Sequence, residues 1–161
     1  MPPKKPHHQI KPGRNEVLPM DIHLWREKRW PVIEKIEATQ GDGRRASQQI
    51  RNISEITKKR LAEGKVTPLR LKSAARAVQK LAARITDEVI KRMDEHGIQH
   101  ESWNNLYWNC LSHFRNVIPD VVRHEIMFQV RKIPEPDPRS KKHYENISRL
   151  IKSSHSSNVK K

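Results

Sequence analysis

The sequence predicts an all-α protein: a helical bundle of about five helices, with an appended C-terminal helix and basic disordered tails. Apolar residues recur at steps of three and four along most of the chain, as they do on one face of an α-helix. No segment alternates polar and apolar residues for long enough to indicate a strand. Hydrophobic residues fill 34% of the 161 positions, which suffices for one modest core.

The N-terminal end of the chain is expected to lie outside the bundle. Residues 1–19 hold five of the eleven prolines, carry a net positive charge and show no apolar periodicity. Such a segment cannot bury enough apolar surface to fold, so we expect a disordered basic arm. The helical bundle is then expected to occupy residues 20–133.

The C-terminal end is expected to contain a linker, one helix and a tail. Proline stands at every second position in the linker, residues 134–139, which is typical of a stiff and extended segment. An appended helix is expected over residues 140–152. The serine-rich residues 153–161 end in two lysines and are expected to form a flexible basic tail.

Caps and glycines delimit the first two helices. Asp21 is a good N-cap for the first helix, which Pro31 should kink or restart and which ends at Gly41. The second helix is expected over residues 44–62, and Gly64 suits its C-terminal cap. The apolar positions of these two helices are Trp25, Trp30, Ile33, Ile36, Ala46, Ile50, Ile53, Ile56 and Leu61.

The third helix has the clearest start signal in the chain. Thr67 is an N-cap residue, and Pro68 is the favoured first residue of a helix. The helix is expected to run to Glu95, where Gly97 ends it, and to be about 40 Å long. Its apolar stripe, which keeps to steps of three and four, comprises Leu71, Ala74, Ala75, Val78, Leu81, Ala82, Ile85, Val89 and Met93.

Two shorter helices complete the bundle. The fourth is expected over residues 101–117 and the fifth over residues 121–132, with a break at Pro119 between them. Trp108 lies off the apolar stripe of the fourth helix, so we expect it to be exposed or to contact a partner. That stripe, the expected aromatic core, comprises Trp103, Tyr107, Cys110, Phe114 and Val117.

The chain is strongly basic, and its composition excludes several classes. Lys and Arg number 33 against 18 Asp and Glu, so the formal net charge is +15, which is typical of proteins that bind nucleic acid. No apolar run approaches 18 residues, so no segment is expected to span a membrane. With no secretory signal and only one cysteine, we expect an intracellular, reducing compartment, whether nucleus, cytoplasm or virion.

A row of basic residues follows the third helix. Residues four apart are neighbours on a helix, and such a row drifts by about 40° at each step. No acidic residue lies between Leu69 and Thr86, although the helix dipole favours acids near the start of a helix. We therefore expect the row to face an external polyanion. Its members, four residues apart, are Lys72, Arg76, Lys80 and Arg84, and Arg70 precedes the row as a further candidate.

The second helix carries basic residues as well. Arg44, Arg51 and Lys58 are seven residues apart and share a face, which Arg45, Lys59 and Arg60 flank. Arginine and lysine neutralise phosphates, so this helix is a second candidate contact with nucleic acid. If the second and third helices pack antiparallel through a short turn, the two sets are expected to form one patch.

These features predict a small nucleic-acid-binding protein that grips the phosphate backbone of DNA or RNA largely without sequence specificity. No recognition-helix, zinc-finger or sheet-based RNA motif is present, and no phosphate loop or nucleophile motif suggests an enzyme or a cofactor. Packaging, nucleocapsid-like or ribonucleoprotein roles suit this mode, with a homo-oligomer as one possible form. The main alternative is a non-enzymatic helical adaptor whose basic faces bind an acidic protein partner. Two further alternatives are that the basic faces bind an anionic membrane surface, or that they are only solvated.

Two further candidate sites, one for zinc and one for phosphorylation, also have ordinary structural explanations. His96, His100, Cys110 and His113 are potential zinc ligands, but their spacing matches no common zinc module, and Cys110 suits a buried position. Ser47 follows two arginines and an alanine, as in the targets of basic-directed kinases. A phosphate there would weaken polyanion binding.

Overall fold

The structure, a computed structural model, describes residues 31–134 and 136–159, with the backbone alone for Pro31 and for residues 154–159. The described chain is all-helical, which confirms the predicted fold class. The predicted N-terminal arm and the predicted start of the first helix at Asp21 lie outside the described residues. The described helices are α1 (Pro31–Ala38), α2 (Asp42–Ala62), α3 (Pro68–Glu95), α4 (Trp103–His113), α5 (Asp120–Val130) and α6 (Pro138–Val159).

The central element is α3, which packs against α1, α2, α4 and α5. It begins and ends at the predicted residues. The Thr67 hydroxyl accepts the backbone N–H of Arg70 at 3.2 Å, and Pro68 occupies the first turn. These local signals fix the helix start independently of the rest of the fold.

The hairpin of α2 and α3 is antiparallel, as the short connection between them predicts. At the start of α2, the backbone N–H of Gly43 donates to Glu88 Oε1 of α3 at 2.7 Å. A Cβ atom on Gly43 would overlap the side chain of Ile36, so a glycine allows α1, α2 and α3 to meet there. The early residues of α2 therefore lie beside the later residues of α3.

The aromatic residues of α4 form the centre of the core. Trp103 and Tyr107 are buried, as predicted, and their rings stack with centroids 5.1 Å apart. The prediction that Trp108 is exposed was wrong, since it is 2% exposed and meets the Tyr107 ring edge-on. A single apolar stripe underestimates burial here because α4 is covered on most of its circumference.

The C-terminal end differs from its prediction in two ways. The Asp137 N–H donates to the Pro134 carbonyl at 3.1 Å, so the chain turns at this point and the linker is not extended. The helix that follows continues to Val159 and does not end at residue 152, so the predicted flexible tail is helical in its described part. No glycine or proline follows Pro138, and each added residue gains a hydrogen bond once the helix has formed.

The turn brings α6 back onto the bundle, where it packs against α2, α3 and α5. Ile147 and Ile151 supply its buried apolar contacts. The appended helix is thus part of the same core as the other helices.

A half-buried carboxylate on α1, that of Glu37, joins three helices. Glu37 accepts hydrogen bonds from the Ser47 hydroxyl and from Arg51 Nη2 at 2.8 Å, and its Oε1 lies 2.8 Å from His113 Nε2. Burial alone would raise the pKa of Glu37, but the hydrogen bonds from His113, Ser47 and Arg51 together lower it from 4.5 to about 2. Ser47 is 2% exposed and turned to this network, so it is not an accessible kinase target in the folded chain.

The Glu37 network predicts a pH-dependent stability. Because the folded pKa lies below the unfolded value, the carboxylate stabilises the fold above pH 4.5 and loses this contribution as the pH falls towards 2. Allowing for partial solvent screening, Glu37→Gln is expected to cost about 1–2 kcal/mol at pH 7. Urea unfolding of both proteins between pH 7 and pH 3 should show the difference shrinking below pH 4.5. A difference that is constant over this range would contradict the assignment.

Candidate nucleic-acid interface

The basic row of α3 runs obliquely across the helix. At its start, Lys72 is half-buried, with its ammonium 4.6 Å from the centroid of the Tyr144 ring of α6. Arg76 and Lys80, one and two turns later, are exposed. The drift of about 40° at each step carries the row from the α6 side of the helix towards the α2 side. The centre of the row is therefore its most solvent-accessible part.

At its C-terminal end, the row is bonded to α2. Arg84 forms an ion pair with Asp42, and its Nε donates to Asp42 Oδ2 at 3.2 Å. This hydrogen bond lowers the pKa of Asp42 and raises that of Arg84. Because both side chains are partly exposed, such a pair contributes about 0–1 kcal/mol. Arg84 is therefore engaged within the fold, whereas Arg70, at the start of α3, is exposed.

The predicted face of α2 is turned towards α1 and the end of α4. Arg51 bonds to Glu37 of α1, and its guanidinium lies 5.3 Å from the centroid of the Phe114 ring. Arg44 and Lys58 share this side of α2 because they are seven residues before and after Arg51. The Nζ atom of Lys58 also lies 3.8 Å from Glu55 Oε1. The two predicted sets therefore do not form the single patch that we expected.

The remaining basic positions of α2 are Arg45 and Lys59, and both are exposed. They are fourteen residues apart, about four helical turns, so they share a face, which differs from that of Arg51. They are thus available to a polyanion that approaches the α2–α3 hairpin.

Lys72, Arg76 and Lys80 share a groove with parts of the chain that the sequence did not connect to them. The groove has a volume of about 590 Å³ and lies between α3, the end of α5 and the start of α6. Lys132 adds a fourth cation, and none of the described residues that line the groove is acidic. The other described lining residues are Gln79, Phe128, Gln129, Ile133, Ser140 and Tyr144.

A fully buried carboxyl group holds the α5–α6 wall of this groove. Glu125 accepts a hydrogen bond from Gln129 Nε2 at 2.9 Å and one from the Tyr144 hydroxyl at 3.3 Å. Its other oxygen lies 2.8 Å from His143 Nε2. The His143 ring in turn stacks on Phe128, with centroids 3.8 Å apart. Tyr144, which lines the α6 wall of the groove, is thereby fixed relative to α5.

Two amides connect this wall to α3. Gln79 Nε2 donates to Gln129 Oε1 at 2.7 Å, and Gln129 Nε2 also donates to the carbonyl of Lys72 at 3.2 Å. The groove is therefore formed before any ligand arrives. Sequence reasoning missed it because its walls come from helices that are distant along the chain, although the pair Arg131-Lys132 before the linker was a local signal.

The potential zinc ligands do not converge. His100 Nε2 lies 3.1 Å from Asp94 Oδ1, whereas His113 bonds to Glu37. Cys110 is buried in the core, and burial raises the pKa of its thiol. Across residues 31–134 and 136–153, whose side chains are described, no group of His, Cys, Asp or Glu is arranged to hold a metal ion.

Comparison with known proteins found no relative of this chain. No family model, no curated protein and no solved structure matches the chain. Within the described part of the chain, no helix is long and apolar enough to cross a membrane. The functional interpretation therefore depends on the charge and geometry of the site.

Proposed function

We propose that the protein binds the phosphate backbone of nucleic acid, DNA or RNA, through the face of α3 that borders the basic groove. The supporting observation is the position of Arg76 and Lys80. Both are exposed, and they stand at the edge of a groove with four cations and no acid among its described lining residues. Such an arrangement concentrates positive potential where a polyanion can reach it.

The length of the basic row suits a phosphate backbone. From Lys72 to Lys80 the helix rises about 12 Å, since each residue adds about 1.5 Å. A duplex carries one negative charge for roughly every 1.7 Å of its axis, so several phosphates come within reach of this stretch. Neutralising them releases counterions, which is the main source of affinity in binding without sequence specificity.

The polar groups of the groove favour backbone contacts over base reading. Amide side chains are the usual readers of base edges, but Gln79 and Gln129 bond to each other, and Gln129 also bonds to Glu125. Recruiting them to a base would break hydrogen bonds within the fold. The exposed groups that are left to contact nucleic acid are cations, which recognise charge and not sequence.

The ends of the chain add to this mode of binding. The basic arm over residues 1–19 and the terminal pair Lys160-Lys161 lie outside the described residues, and their charge supplies further phosphate contacts. A role in packaging nucleic acid, as in a nucleocapsid or another ribonucleoprotein particle, suits such a protein.

Direct competition tests the proposed ligand class. Full-length protein is titrated into fluorescent duplex DNA, duplex RNA and a single strand at 0.1 M salt, with polyglutamate of equal total charge as competitor. We expect a Kd of about 1–100 μM or lower for at least one nucleic acid, in line with this mode of binding, and little displacement by polyglutamate. If polyglutamate displaces the nucleic acid as well as unlabelled nucleic acid does, the adaptor with an acidic protein partner replaces this proposal.

A further inference from the structure

A second groove, apolar in its lining, lies between α2 and α3. It has a volume of about 440 Å³. Ile56 of α2 is 50% exposed on one side of it, and Leu69 of α3 is 72% exposed on the other. The sequence grouped Ile56 with the apolar stripe of the second helix, and its exposure corrects the expectation that the whole stripe is covered. Of the four large hydrophobic side chains that are exposed in the described chain, two therefore border one groove.

The shape of the groove comes from small side chains on α3. Ser73, Ala74 and Ala77 line it, and they leave a trough beside Ile53 and Thr57 of α2. All the described lining side chains are aliphatic, hydroxyl-bearing or arginine, so no ring is available on which a nucleic-acid base could stack. The trough suits the apolar side chains of a helix, which insert at steps of three and four.

The charges around the groove restrict what can occupy it. Arg60 and Arg70 are the charged residues among its described lining, and neither carries an acidic counterpart there. A second copy of this chain docked through the same groove would bring its own Arg60 and Arg70 against these arginines, which like-charge repulsion disfavours. A partner with acidic residues beside an apolar stripe complements both the charge and the surface.

We propose that this groove docks an amphipathic helix of a partner protein, with an apolar stripe at i, i+3 or i+4 and i+7 and acidic residues along its edges. The apolar stripe covers Ile56 and Leu69, and the acidic residues pair with Arg60 and Arg70. This site is separate from the proposed nucleic-acid surface. The basic groove lies on the α5–α6 side of α3, whereas the apolar groove lies on its α2 side, so both can be occupied together.

The test uses a matched pair of designed probes. Both are fluorescent 18-residue helical peptides with the same leucine stripe, and one carries glutamate and the other lysine along its edges. Binding to full-length protein is measured at 0.15 M salt, where charges more than about 8 Å apart are largely screened but direct ion pairs are not. We expect the glutamate peptide to bind at least tenfold more tightly than the lysine peptide. No binding by the glutamate peptide, or equal binding by the two, would overturn the proposal.

Substitutions then locate the site. Ile56→Gln/Leu69→Gln is expected to weaken binding of the glutamate peptide at least tenfold, because it removes both apolar anchors and leaves the charge unchanged. Ile98→Gln is the matched control, since Ile98 is 51% exposed elsewhere, and it should have no effect. If the double variant fails to fold, the same binding measurement is made with Leu69→Gln alone. Unchanged affinity in a folded groove variant would show that charge alone holds the peptide, and the docking site would be wrong.

The outcome is independent of nucleic-acid binding. We expect Arg76→Gln/Lys80→Gln to leave the affinity for the glutamate peptide within about twofold, and the groove variant to leave nucleic-acid affinity within the same margin. Loss of both ligands in one folded variant would mean that the two grooves act as one surface, which would contradict the inference.

Discussion

Replacing Arg76 and Lys80 together with glutamine is expected to weaken duplex binding by roughly 10- to 100-fold at 0.1 M salt. Each phosphate contact contributes about 0.9 to the slope of log affinity against log salt, so losing two contacts costs between one and two decades at this concentration. The slope itself should become shallower by about 2. Fluorescence anisotropy of a labelled duplex over a salt series measures both effects.

The matched control removes two charges elsewhere. Lys35 on α1 and Lys91 near the end of α3 are exposed and lie outside the proposed surface. Lys35→Gln/Lys91→Gln therefore makes the same change in net charge and should lower the affinity by much less. Equal losses in the two variants would mean that binding depends on net charge alone and that the α3 surface is not a site.

Glu125→Ala is expected to have the largest effect on stability, about 3 kcal/mol. Removing the buried carboxyl leaves His143, Tyr144 and Gln129 without their shared partner, and each unsatisfied buried polar group costs about 1–3 kcal/mol. The contacts between α5 and α6 weaken, so the groove should lose its α6 wall. Urea unfolding measures the loss, and faster amide exchange in residues 140–144 locates it.

An exposed glutamate provides the control for this variant. Glu145 lies two residues after His143 on α6, and Glu145→Ala should change the free energy of unfolding by less than about 0.5 kcal/mol. If Glu125→Ala also costs less than about 1 kcal/mol, the carboxyl does not hold α6 in place.

Local signals predicted the helices well. Thr67, Pro68 and Gly97 mark α3 within a few residues of its ends, so its boundaries could be predicted without the rest of the fold. Trp108 was misplaced because burial depends on how many neighbours cover a helix, which one stripe does not reveal. Ile56 was misplaced for the opposite reason, since the groove beside it is left uncovered.

The basic site was only partly predictable. Spacing identified the row on α3 and its drift, but not the partners at its two ends. Asp42, which neutralises Arg84, is distant in the chain, and Glu37, which holds Arg51, belongs to another helix. Lys132, whose backbone N–H bonds to Gln129 at the end of α5, lines the same groove as the row on α3 although it is distant from that row in the chain. Such pairings depend on tertiary structure, so they follow from the fold and not from local sequence.

The most direct test of phosphate-backbone binding is the affinity of full-length protein for a 20-base-pair duplex, measured from 0.05 to 0.3 M salt. If about six phosphates are contacted, log affinity should fall against log salt with a slope of about −5, and a duplex of unrelated sequence should give the same line. A flat dependence on salt would contradict the electrostatic mechanism, and a strong preference for one of the two sequences would contradict binding through the backbone.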